Sequence, residues 1–341
     1  MVEISTLVRP NILSLKPYSS ARDDFQGQAH VWLDANENPF GSYNRYPDPY
    51  QSALKRRLAE LNDLPSENIF IGNGSDEVID LVFRVFCQPG VDNVLQLTPT
   101  YGMYKVSADI NGVEMIDVPL NGVFDIDLDA LEPKLADRQL KVIFLCSTNN
   151  PTGNVMDREA LIRILERFNG IVFLDEAYAE FAQGQSCVDL VNTYNNLVVS
   201  RTFSKARGLA AARVGIAYAG SEIIRFLNKV KPPYNVSALN QQAAVDALND
   251  STFNVRIGEI LDQRDALRSA LDALPFIRTV FPSQANFLLV EVEDADRLYE
   301  YLVNKKIIIR NRNNQVPNTV RITVGTADEN KRLLNALKHY R

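Results

Sequence analysis

The stretch Val142-Ile143-Phe144-Leu145-Cys146-Ser147-Thr148-Asn149-Asn150-Pro151-Thr152-Gly153 decides how this chain folds. Its first five residues are apolar without alternation, the pattern of a strand covered on both faces. Its second half is polar and carries Pro and Gly, which end regular structure abruptly. The same design recurs on either side. Residues 94–98, 171–175, 197–202 and 214–220 are short apolar runs, and 101–111, 157–168 and 221–229 carry helical spacing between them. Strands alternating with helices predict an α/β fold, a mostly parallel sheet with helices on both faces.

Working outward, the rhythm changes after Pro232-Pro233. Helices are expected over 237–249 and 252–273, then a strand over 286–292 and a helix over 295–304. Strands over 307–310 and 320–324 and a closing helix complete the chain. The first 45 residues, rich in Pro, Asn and Tyr, read as an irregular arm. The expected organisation is an arm (1–45), a large domain (46–270) and a smaller α+β domain (271–341). A length of 341 residues suits about two domains.

Composition excludes several chemistries. Thirty-six basic against forty-two acidic side chains leave a net charge of −6, so a nucleic acid is not an expected partner. The two histidines, His30 and His339, stand in no motif, which argues against a Ser-His-Asp triad and a histidine-based zinc site. Cys87, Cys146 and Cys187 lack metal or disulfide spacing and read as buried thiols in a reducing compartment. No N-terminal signal pattern and no membrane-length apolar run stand out, so a cytoplasmic location without membrane contact is expected.

In open α/β sheets, ligands gather beyond the carboxyl ends of the strands. Three strand ends carry chemistry there: Asn149-Asn150-Pro151-Thr152-Gly153, Asp175-Glu176-Ala177-Tyr178 and Arg201-Thr202-Phe203-Ser204-Lys205. An isolated lysine is ordinarily a solvated charge. Lys205, past a buried strand with Ser204 before it and Arg213 beyond, suits Schiff-base chemistry on a phosphorylated carbonyl compound. Asp175 alone would be a helix cap or half of an ion pair. Beside such a lysine it suits a protonated pyridine nitrogen, with Asn150 and Tyr178 toward a phenolate oxygen. Gly72-Asn73-Gly74-Ser75-Asp76-Glu77 opens a helix after apolar 69–71, and its N–H groups could cradle the phosphate. It begins like a dinucleotide fingerprint, but Glu77 stands where the last glycine belongs, which argues against a nicotinamide oxidoreductase. The local alternative is a cap made by the side chain of Ser75 or Asp76. Tyr101, after the next strand, could stack on a planar ring.

Taken together, these motifs resemble the pyridoxal-phosphate enzymes of the aspartate-aminotransferase fold group, fold type I. Within it the chain is similar to the histidinol-phosphate aminotransferases. Shared with the wider group are Asn150-Pro151-Thr152-Gly153, Asp175-Glu176-Ala177-Tyr178, Ser204-Lys205 and Arg213. More particular are Arg9-Pro10-Asn11-Ile12, Pro17-Tyr18-Ser19-Ser20-Ala21-Arg22, Asn36-Glu37-Asn38-Pro39, Arg45-Tyr46-Pro47-Asp48, Ile309-Arg310 and Arg321-Ile322-Thr323-Val324-Gly325.

The resemblance implies pyridoxal 5'-phosphate as cofactor, bound through Lys205, which also moves the substrate proton. Asp175 would pair with the ring nitrogen, Asn150 and Tyr178 with the phenolate, and Tyr101 would stack on the ring. Gly74, Ser75, Asp76, Ser204 and Arg213 would surround the phosphate. Tyr46 would reach the cofactor of the neighbouring subunit, so a homodimer with shared sites is implied. Tyr18, Asn36, Arg310 and Arg321 would meet the substrate. The implied reaction is amino transfer from histidinol phosphate to 2-oxoglutarate, in histidine biosynthesis. An aromatic amino-acid aminotransferase and a threonine-phosphate decarboxylase are the alternatives. Where the family reads Lys-Ala-Phe-Gly-Leu-Ala-Gly-Leu-Arg, this chain has Arg207, Ala211 and Ala212 in place of Phe, Gly and Leu.

Overall fold

The structure, a computed structural model, describes residues 2–18 and 30–340. Ser19, Ser20, Ala21 and Arg22 of the arm motif lie outside the described residues.

The described residues form a seven-stranded and a four-stranded sheet. The larger comprises β1 (Ile69–Gly72), β2 (Asn93–Thr98), β3 (Glu114–Pro119), β4 (Leu140–Cys146), β5 (Ile171–Asp175), β6 (Leu197–Thr202) and β7 (Gly215–Ala219). Their spatial order is β1-β7-β6-β5-β4-β2-β3. β3, β2, β4, β5 and β6 are parallel neighbours, while β7 runs antiparallel between β6 and β1. The edge strand β3 reads Glu-Met-Ile-Asp-Val-Pro, without the continuous apolar run of the central strands.

Alternation along the central strands builds two cores, because successive side chains leave a strand on opposite faces. On β4 and β5, Val142, Phe144, Ile171 and Phe173 face one core, and Ile143, Leu145, Val172 and Leu174 face the other. The first core is closed by α2 (Ser75–Phe86), α3 (Met103–Ile110) and α5 (Ser221–Val230). The second is closed by α1 (Ser52–Asn62), α4 (Arg158–Arg167) and α6 (Ala238–Leu248). In α4, Leu161, Ile164 and Leu165 sit at helical spacing on the buried face, and Asp157 caps the start by accepting the Glu159 N–H at 2.8 Å. Burying each such leucine or isoleucine contributes about 1.5–3 kcal/mol.

The smaller sheet has the order β10-β11-β9-β8, from β8 (Ile277–Val280), β9 (Phe287–Val292), β10 (Arg310–Asn311) and β11 (Thr319–Thr323). α7 (Phe253–Asp272), α8 (Ala295–Asn304) and α9 (Ala327–Leu337) pack on it. The strand expected over 307–310 begins only at Arg310. Lys306 turns the chain at φ +61°, Ile307 donates back to the Leu302 carbonyl, and Ile307 and Ile309 pack on the small core. Pairing then sets Arg310 opposite Arg321.

Candidate active site

Three features of the fold create the site. The parallel strands β4, β5 and β6 deliver Asn150, Asp175, Ser204 and Lys205 to one edge. α2 starts beside them, and β10 and β11 of the small sheet hang arginines over the gap. Ser75, Asp76, Tyr101, Asn150, Asp175, Tyr178, Ser204, Lys205, Arg213, Arg310 and Arg321 all line one cavity of about 290 Å³. Gly74 borders it.

The start of α2 departs from the side-chain cap expected of Ser75 or Asp76. Gly74 holds the cap position at φ +82° with no side-chain acceptor. The free N–H groups of the first turn therefore face the cavity rather than a cap oxygen. Glycine is required by the close approach: a Cβ on Gly74 would lie 2.5 Å from Arg213 Nη2. One on Gly215 would lie 2.3 Å from the Ser75 nitrogen. Arg213, itself in the left-handed region at φ +51°, donates to Ser204 Oγ at 3.3 Å and to Asp76 Oδ2 at 3.2 Å. Thr202 Oγ1 accepts the Ser204 N–H at 3.1 Å. Hydroxyls, a guanidinium and helix N–H groups thus form an anion cradle.

Asp175 lies at the buried end of β5, 3% exposed. One oxygen accepts the Ala177 N–H at 3.0 Å, and the other accepts the Tyr104 phenol at 2.8 Å. Burial outweighs both donors and pushes its pKa up to about 6. Burial, followed by the nearby Arg321, lowers the Lys205 pKa from the ordinary lysine value, which favours the free amine. Lys205 Nζ stands 5.6 Å from the centre of the Tyr178 ring. Burial also raises the phenols of Tyr101 and Tyr178, so both remain O–H donors at neutral pH. Tyr101 precedes α3 in a turn rather than standing within the helix, and its hydroxyl meets Asp76 Oδ1 at 3.3 Å. Asn150 accepts from Arg321 Nη1, leaving its amide N–H groups to donate.

Tyr18, Asn36 and Tyr46 are not among the residues lining this cavity. Tyr18 is 73% exposed, Asn36 borders a separate pocket of the arm, and Tyr46 stacks on Tyr234 at 4.4 Å. Conversely, Arg312 lines the cavity and was absent from the expected set. Its signal is the alternation Arg310-Asn311-Arg312, which returns two arginines to one side of an extended segment. Among the described residues, Arg310, Arg312 and Arg321 have no carboxylate partner, and Nε of Arg312 and of Arg321 is buried without a hydrogen bond. Burial and the neighbouring arginines lower the Arg312 pKa to about 10. Arg207 explains its own departure from the family pattern: its guanidinium lies 3.5 Å over the Phe253 ring and donates to the Ala247 carbonyl at 3.1 Å.

The three thiols are buried and free. Among the described residues, no His/Cys/Asp/Glu cluster suits a metal ion and no helix is long and apolar enough to cross a membrane.

These groups fit pyridoxal phosphate. The glycine-lined cradle suits its phosphate, the unneutralised Asp175 its ring nitrogen, and the amine of Lys205 its aldehyde. Comparison with known proteins agrees. The family described as Aminotransferase class I and II matches residues 18–337. A curated relative from Parabacteroides distasonis, named histidinol-phosphate aminotransferase, is 51% identical over 99% of this chain and 99% of its own. The crystal structure of the histidinol-phosphate aminotransferase from Clostridium acetobutylicum superposes with a TM-score of 0.80 at 25% identity, covering 87% of this chain and 90% of that one. That of the Sinorhizobium meliloti enzyme, in complex with pyridoxal-5'-phosphate, gives 0.79 at 22% identity over 89% and 88%.

Proposed function

The chain belongs to the class I and II aminotransferases, and on that premise we propose that it moves the amino group of histidinol phosphate to 2-oxoglutarate, releasing imidazole acetol phosphate and glutamate in histidine biosynthesis. The observation that carries the reading is one cavity holding both an amine–carboxylate–phenol set and three arginines that have no carboxylate partner among the described residues.

Pyridoxal phosphate, when bound, supplies an electron-withdrawing ring that stabilises negative charge on the substrate carbon bearing the amine. The side chains do the rest. Ser75, Asp76, Ser204 and Arg213 hold the phosphate, with Gly74 allowing their approach. Asp175 holds the proton of the ring nitrogen. Asn150 and Tyr178 donate to the phenolate oxygen, and Tyr101 covers the ring face. Lys205 would hold the aldehyde carbon through Nζ, and, once the substrate amine takes that place, its freed amine would carry the proton from the substrate carbon to the former aldehyde carbon. Amino donor and acceptor use the same site in turn, which is ping-pong kinetics.

One binding end must accept a phosphate from one substrate and a carboxylate from the other. Arg310, Arg312 and Arg321 suit both anions, because guanidinium forks bind either in bidentate fashion. The division into arm (1–45), large domain (46–270) and small domain (271–341) belongs to this reading, as does a homodimer in the cytoplasm. Supporting the dimer, Tyr18, Val31, Leu33, Phe40 and Tyr43 of the arm are each more than 70% exposed, an apolar surface suited to a second copy. In the dimer Tyr46 reaches the neighbouring cofactor phosphate, and Tyr18 and Asn36 complete the substrate site.

Borohydride treatment of the yellow protein, with peptide mapping afterwards, is expected to find the cofactor fixed on Lys205; label on another lysine overturns the assignment. A glutamate-formation assay with 2-oxoglutarate is expected to favour histidinol phosphate strongly over phenylalanine and tyrosine. Equal turnover of the aromatic amino acids would select an aromatic aminotransferase. Carbon dioxide release from threonine phosphate without glutamate would select the decarboxylase.

A further inference from the structure

Tyr104 has no part in the chemistry above, yet it is fully buried at 0% exposure, and its phenol donates to Asp175 Oδ2 at 2.8 Å. It sits on α3, one helical turn beyond Tyr101, so the two rings meet edge to face at 5.6 Å. On the other side Tyr104 stacks on Phe144 at 5.0 Å. A phenylalanine would fill this apolar slot equally well. The hydroxyl is the polar addition; it donates to the carboxylate and also lies beside the Cys146 thiol.

We propose that Tyr104 is a positioning residue for the cofactor, its phenol fixing the Asp175 carboxylate in the orientation that meets the ring nitrogen. The inference rests on the reading of Asp175 as partner of that nitrogen. With Ala177 N–H on Oδ1 and Tyr104 O–H on Oδ2, each oxygen has one fixed, neutral donor. The carboxylate cannot swing, and neither donor neutralises it. One cation is still wanted, and the protonated ring supplies it. Burial, followed by the Asp175 charge, raises the Tyr104 phenol well above its ordinary value, which favours the O–H donor. The nearest ring neighbours, Phe144 and Tyr101, lock the phenol in place, so the carboxylate is oriented before the cofactor arrives.

The test compares apoprotein binding of pyridoxal phosphate with that of its 1-deaza analogue, whose ring has carbon in place of the nitrogen. Loss of one hydrogen bond to a charged group in Tyr104→Phe should weaken pyridoxal phosphate about ten-fold or more. Affinity for the deaza analogue should change less than about two-fold. In an Asp175→Asn background, Tyr104→Phe should have no further effect on either ligand. Equal losses for both ligands, no loss, or an apoprotein that fails to fold when only the hydroxyl is removed would each overturn the proposal, assigning Tyr104 to packing alone. If Asp175→Asn itself fails to distinguish the two ligands, the reading of Asp175 falls first, and the proposal with it.

Discussion

Asp175 and Glu176 are consecutive carboxylates, 3% and 1% exposed, at the end of one strand, and the sheet sends them to opposite faces. Glu176 enters the face closed by α1 and α4, where its charge is fully met. Arg201 donates to it through Nε and Nη2 at 3.0 Å each, Ser186 through its hydroxyl at 2.8 Å and Cys187 through its N–H at 2.6 Å. Asp175 enters the other face, toward the cavity, and accepts from two neutral donors, with the Lys205 charge nearby but no direct ion pair among the described residues. The difference separates a carboxylate that closes the structure from one that waits for a ligand. The same division runs through the arginines: Arg201 is paired, whereas Arg312 and Arg321 keep buried Nε atoms without an acceptor.

The largest effect is expected on the paired side. Glu176→Ala leaves the buried Arg201 guanidinium without its hydrogen-bonded carboxylate, with only the more distant charge of Glu180 remaining, at a cost of about 3 kcal/mol in urea unfolding of the apoprotein. A loss under about 1 kcal/mol would erase the contrast with Asp175.

On the other face the sign reverses. The raised Asp175 pKa means that the folded chain keeps a proton that the unfolded chain has already released between pH 3.8 and about 6. This contribution to apoprotein stability is full below pH 3.8 and is lost as the pH rises through about 6. It totals about 3 kcal/mol, and above that pH it stands as the cost of burying the charge. Asp175→Asn, which carries no charge, should remove this dependence, raise the melting temperature at pH 8 and abolish retention of the cofactor. Calorimetry of both apoproteins from pH 4 to pH 8 checks it. A variant less stable than the parent at pH 8 would show that attraction to Lys205 outweighs the cost of burying the Asp175 charge.

The smallest effect concerns Arg312. Arg312→Gln should raise KM for histidinol phosphate about ten-fold, near 1.5 kcal/mol for one charged hydrogen bond, with kcat and stability nearly unchanged. A fall in stability without a change in KM would move Arg312 to the structural side of the division.

Much of the fold and site is legible in the sequence because it is local. Apolar runs without alternation announce β4, β5 and β6, and the polar residues just beyond each run name Asn150, Asp175, Tyr178, Ser204 and Lys205. Strand ends in an open parallel sheet converge, so the residues just past each strand mark the site. Less legible are residues whose importance lies across the fold. Tyr104 looks like a core aromatic until its hydroxyl is seen on Asp175, a residue 71 positions away. Arg312 lies beyond a strand that starts later than its apolar lead-in suggests, since Lys306 turns the chain first. Tyr18 and Asn36 of the arm and Tyr46 just beyond it stand away from the cavity, a placement their local sequence does not announce.

By itself, the order of residues determined the α/β architecture and set Lys205 just past the end of a buried strand, because periodicity and strand-end chemistry act over a few neighbours. Only the tertiary structure decided how the two adjacent carboxylates are met, Glu176 by a paired arginine and Asp175 by a buried phenol. That choice depends on which side chains other segments bring to each face of the sheet. Arg201 arrives from β6 on one side and Tyr104 from α3 on the other, and neither can be read from the residues around Asp175-Glu176.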